Sequence, residues 1–154
     1  MNKYRFVELL CVIFAVLFIA GSLRGDATLD MTAYEITENI CSQLCTELSA
    51  GDRDSVRERL GFDPDSFSSF SYYSSDDIMN VREIFIGVSP EHADPTVSQA
   101  IRKYLDEKHK LFEGYAPEEA ALLKNARIEE KGNVIIFIVA ENADEIYSAF
   151  LELF

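Results

Sequence analysis

Hydrophobic residues follow three different periods along this chain. From Phe6 to Leu23 they are nearly continuous, and Glu8 is the one charge among them. A helix rising about 1.5 Å per residue carries that stretch about 27 Å, enough to cross a hydrocarbon core. It is apolar on every side, unlike the one-faced helix of a globular core. After a polar exit at 24–30 the spacing becomes helical. Ala33, Ile36, Thr37, Ile40, Leu44 and Leu48 form a stripe, and Gly51 ends it. Thr32 and Glu35 stand at capping-box spacing in front of it. "DRDSVRERL" predicts a second, short helical turn closed by Gly61, and Pro64 stops any continuation.

Period two takes over next. In "SFSSFSYYSS", Ser68, Phe70, Tyr72 and Ser74 alternate with Ser69, Ser71 and Tyr73, which suits a half-buried strand. "SSDD" is its turn. "VREIFIGVS" is a second strand with Ile84, Ile86 and Val88 on one face. "PEHADP" is a loop, and Pro95 opens a long helix to about Gly114. Its stripe is Val97, Ala100, Ile101, Tyr104, Leu105, Lys108, Leu111, Phe112 and Tyr115. Pro117 begins another short turn. "NARIEE", "KGN" and "VIIFIVA" read as strand, tight turn, strand, and the last is apolar on both faces, as a central or covered strand is. Asn142 and Glu145 again show capping spacing, ahead of a final helix with Ile146, Ala149, Phe150 and Leu153 inward. The expected fold is α+β: an N-terminal transmembrane helix, then a single domain in the order α-β-β-α-β-β-α. Its mostly antiparallel four-stranded sheet is packed by helices.

Charge decides how the apolar stretch is oriented. Residues 1–26 carry Lys3, Arg5 and Arg24 against Glu8 and Asp26, net +1. The remainder carries eleven basic and twenty-five acidic residues, net −14. Lys3 and Arg5 keep the N-terminus in the cytoplasm and send the rest across. The division is therefore 1–25, a cytoplasmic stub and transmembrane anchor, and 26–154, an extracytoplasmic domain. Ala20 and Ser22 satisfy a leader-peptidase spacing, so secretion after cleavage is the alternative. No Cys stands at the end of the apolar run, which argues against lipid attachment. So acidic a domain repels nucleic acid, and it has no Lys/Arg cluster to neutralise phosphates.

The segments "LGFDPDSF" (60–67), "REIFIGVS" (82–89) and "FEGYAPEEAALLKNARIEEKGNVIIFIVAENADEIYSAF" (112–150), with the helix between the last two, resemble a bacterial family. It is the domain of unknown function DUF4358. The resemblance implies a small exported or membrane-anchored protein of the cell envelope. It brings no activity and no binding residues.

Candidate chemistry is sparse. Cys41 and Cys45 lie four apart on the first helix, but partners for zinc are missing. His92 and His109 fall apart from each other and from the cysteines. Within a regular helix an i, i+4 pair is badly oriented for a disulfide, so the cysteines read as small buried hydrophobes. Asp52, Asp54, Asp63 and Asp65 lack the spacing of a calcium loop and suit helix starts and an Asp-Pro turn. The pairs Asp76-Asp77, Glu118-Glu119 and Glu129-Glu130 read as solvated acids. No nucleophile elbow, P-loop or dinucleotide fingerprint occurs. No catalytic residue, cofactor or metal ligand is therefore assigned.

One surface stands out. Phe70, Tyr72 and Tyr73, if they lie on a sheet edge, offer an interaction surface for a peptide strand or a glycan. The reading is a membrane-tethered extracytoplasmic binding or interaction module without catalysis. It holds the membrane through residues 6–23 and meets an envelope protein or cell-wall partner. The alternative is an envelope hydrolase acting on glycan or peptide with dispersed acidic residues.

Overall fold

The computed structural model describes residues 28–154. The apolar segment 6–23 lies outside the described residues, and no helix among those described is long and apolar enough to cross a membrane. The chain runs α1 (Ala33–Thr46), β1 (Ser49–Ala50), α2 (Arg53–Leu60), a 3-10 turn (Pro64–Ser66), β2 (Ser69–Ser74) and β3 (Glu83–Val88). It continues through α3 (Pro95–Phe112), α4 (Pro117–Lys124), β4 (Arg127–Lys131), β5 (Val134–Val139) and α5 (Ala143–Leu151). The strands form one antiparallel sheet in the order β1-β2-β3-β5-β4.

The α+β class stands, but the four-stranded sheet is corrected to five. The extra strand, Ser49–Ala50, pairs with Ser74 and Tyr73 at the outer side of β2. Two residues are too few to carry a period, so the pattern merged them with the end of the first helix. The turns expected near residues 53 and 117 are full helices of eight residues.

Helices cover both faces of the sheet. Phe85, Ile135, Phe137 and Val139 point toward α2, α3 and α4, with Val56, Leu60, Ile101, Phe112 and Leu123. Ile84, Ile86, Val88, Val134, Ile136 and Ile138 point the other way, toward α1 and α5, with Ile36, Ile146 and Phe150. Every residue of β3 and β5 is buried. Two covered faces explain why the last strand lacks alternation. The far edge, β4, carries Arg127, Glu129, Glu130 and Lys131, charges that discourage further strand addition.

Local chemistry sets the ends. Glu35 Oε2 accepts from Thr32 N at 2.8 Å and Thr32 Oγ1 accepts from Glu35 N at 3.3 Å, a reciprocal cap for α1. Asp94 caps α3 by accepting from Thr96 N at 2.8 Å, with Pro95 following. The expected cap at Asn142 is corrected: its side chain makes no capping bond, and its carbonyl accepts from Glu145 N at 3.0 Å instead. Leu111 and Tyr115, expected in the core stripe of α3, are instead 64% and 53% exposed, because β3 and β5 end before that helix does.

One contact fixes the first of the described residues. Asn133, in the β4–β5 turn, accepts from Leu29 N at 2.8 Å and donates to Leu29 O at 3.2 Å and Ser89 O at 3.3 Å. The chain thus enters the domain at the sheet end where β3 finishes and β5 begins.

Candidate functional site

The opposite end of the sheet holds a buried carboxylate. Glu83 opens β3, opposite Ser74 of β2 and Val139 of β5, and is fully buried. It is in phase with Phe85 and so points toward α3. Tyr72 Oη donates to its Oε2 at 2.9 Å. Tyr104 Oη and Lys108 Nζ donate to its Oε1 at 2.7 and 2.9 Å. Tyr104 and Lys108 are one turn apart on α3, and Lys108 Nζ also donates to the Tyr104 oxygen at 2.7 Å. Burial first, and then the Glu83 charge, push both tyrosine hydroxyls well above their ordinary pKa. Both stay protonated and act as donors. Three donors on two oxygens satisfy the carboxylate, as a buried charge requires.

Backbone space makes this cluster fit. Gly51, whose amide donates to Tyr72 O at 2.8 Å, lies against the Tyr72 ring, and a Cβ there would stand 2.4 Å from Cδ1. Gly87 does the same for Phe67, whose ring carbons would meet a Cβ at 2.6–2.9 Å.

A groove of about 520 Å³ opens above the cluster. Its floor is Tyr104, Lys108 and Phe112, and exposed Ile78 and Leu111 supply apolar walls. Asp76, Asp77 and Glu107 stand on its rim with Arg59. Arg59 donates to Ser74 Oγ at 2.9 Å. Because Glu83 neutralises Lys108, the groove's local charge is three acids against one arginine.

The residues singled out in the sequence are placed differently from one another. Tyr72 is buried with its hydroxyl on Glu83, inside the molecule. Phe70 is half-buried and stacks on Phe85 at 6.3 Å, on the same sheet face. Tyr73 is half-buried on the opposite face, beside α1. The three therefore share no single face, and β1 with the α1 contacts covers part of the β2 edge. Asp54, Asp63 and Asp65 surround Arg57, at 3.4, 3.0 and 3.2 Å, and Asp52 caps α2 by accepting from Ser55 N at 2.9 Å. These acids are engaged by cations and amides. Among the described residues no three His, Cys, Asp or Glu side chains are grouped to hold a metal. Cys41 is buried and Cys45 is half-buried.

Sequence reasoning missed the Glu83 cluster. The signal was present in the phase of the charges: Glu83 occupies an inward position of an apolar strand, and Lys108 sits in the apolar stripe of α3.

The fold and site define a small two-faced α+β domain with a polar junction between sheet and long helix, and an amphipathic groove over it. The chain belongs to the family described as a domain of unknown function, DUF4358, whose profile matches residues 41–140. The match begins nearer the N-terminus than the quoted segments do and stops before α5. No curated protein and no solved structure matches the chain.

Proposed function

We propose that the protein is a membrane-tethered, extracytoplasmic binding module whose groove takes a cationic peptide segment bearing a large apolar side chain. The observation that carries this reading is the groove itself: Ile78 and Leu111 are exposed beside three rim acids. Apolar walls with an acidic rim complement a basic, apolar peptide. Placement supports it too. The chain enters at the Asn133 end of the sheet, while Glu83 and the groove lie at the other end of the six-residue strand β3, about 17 Å away. A tether on residues 6–23 would join the domain at the end opposite the groove. The Glu83 carboxylate is saturated by neighbours within the fold, which favours a structural role for it over proton transfer.

The test uses protoplasts displaying the full-length protein and a membrane-impermeant fluorescent hexapeptide with a Leu-Phe pair between two pairs of lysines. Intact protoplasts should capture it, and the double variant Ile78→Asp, Leu111→Asp should not. Capture only after lysis puts the domain on the cytoplasmic side. No capture in either state removes the binding reading.

A further inference from the structure

Cysteines four apart are badly oriented for a disulfide only where the helix is regular, and α1 is not regular at Cys41. Cys41 has φ −149° and ψ 30°, so the helix breaks at the first of the two cysteines. The two sulfurs stand 3.4 Å apart. Cys41 is buried against the sheet, while Cys45 lies half-buried and within reach of solvent. Tyr73 of β2 and the exposed Glu38 are the neighbouring titratable groups. One deep thiol touching one accessible thiol is the arrangement of an attacking cysteine and its resolving partner.

The geometry points to Cys41 and Cys45 as a redox dithiol that closes to an intramolecular disulfide by exchange with a low-molecular-weight disulfide. The Cys45 thiolate attacks one sulfur of the incoming disulfide. That S–S bond breaks, one thiolate leaves, and a mixed disulfide remains on Cys45. Cys41 gives up its proton, attacks the Cys45 sulfur and expels the second thiolate. Two protein thiols are oxidised by two electrons, one disulfide is reduced to two thiols, and the two protons end on the leaving groups. The direction of attack agrees with the electrostatics. The hydrogen bond between the two sulfurs draws the Cys45 thiol below its ordinary pKa and, with burial, drives Cys41 up. The site stands apart from the groove and does not depend on what the groove binds. A bridge would pin the break in α1, whose Thr37 hydroxyl is bonded to Ser71 of β2.

Mass mapping tests it. Full-length protein in mild detergent is equilibrated with reduced and oxidised glutathione, quenched in acid, alkylated and digested with trypsin. Both cysteines fall on the peptide Gly25–Arg53, and Cys11 falls on a separate peptide. The expected product is Gly25–Arg53 lighter by two hydrogens and free of alkylation, with an equilibrium constant at least about tenfold above that of the urea-unfolded chain. Brief alkylation of the reduced protein should mark Cys45 at least about tenfold faster than Cys41. Cys41→Ser should accumulate glutathione on Cys45. A native constant equal to or below the unfolded one overturns the proposal. So does a persistent double glutathione adduct, or faster labelling of Cys41.

Discussion

Replacing Glu83 with alanine should cost the domain about 3–5 kcal/mol of stability, the range for removing one partner of a buried ion pair. The carboxylate joins three elements, taking Tyr72 from β2 and Tyr104 and Lys108 from α3 while itself belonging to β3. Without it, two buried hydroxyls lose their acceptor and the ammonium keeps only the Tyr104 oxygen. Urea unfolding followed by tyrosine circular dichroism measures the loss, since the chain has no tryptophan. Two further variants separate the pair from mere packing. Tyr72→Phe should cost about 1.5–3 kcal/mol, the worth of a hydrogen bond to a charged group. Adding Lys108→Met to Glu83→Ala should restore part of the loss, because the unpaired cation goes with it. A loss under about 1 kcal/mol for Glu83→Ala would show that water reaches the carboxylate.

Phe85→Ala should be comparably severe, at about 3–5 kcal/mol, because it empties the centre of an aromatic cluster. Its ring is fully buried and meets Phe62 at 5.2 Å and Phe67 at 5.6 Å edge-on, with Phe70 stacked at 6.3 Å. Phe70→Ala, at a half-buried position, should cost only about 1–2 kcal/mol, since less apolar area leaves water there on folding. The same urea series gives both numbers. Equal losses at the two positions would contradict Phe85 as the centre of the packing.

Where the sequence pattern succeeded, it did so because burial is periodic. Alternation placed Ile84, Ile86 and Val88 on one face, and the unbroken run 134–139 marked a strand covered twice. The long helix after Pro95 declared itself by cap, proline and stripe together. Failures came where a few residues depend on distant ones. Ser49–Ala50 pairs only because β2 offers an edge, and Leu111 is exposed only because the sheet ends beneath it. The aromatic surface of Phe70, Tyr72 and Tyr73 read as one edge, yet Tyr72 turns inward to meet a carboxylate from the next strand. The carboxylate's other partners, Tyr104 and Lys108, lie 21 and 25 residues beyond it, outside the range of any local period. The same limit hid the groove, whose walls come from α2, the β2–β3 loop and α3. Cys41 and Cys45 were visible as a pair, but the helix break that brings their sulfurs together was not.

The most direct test of the binding reading is a titration of the purified full-length protein with two matched hexapeptides. Both carry a Leu-Phe pair, one flanked by lysines and the other by glutamates. Exposed ion pairs contribute about 0.2–1 kcal/mol each, so three rim acids give about a tenfold preference for the lysine peptide. That preference should decline at high salt and vanish in the Ile78→Asp, Leu111→Asp variant, and the peptide should be recovered intact by mass spectrometry. Equal binding of the two peptides, or binding untouched by the double variant, would contradict the groove as the site. A cleaved peptide would contradict a binding module and favour the hydrolase.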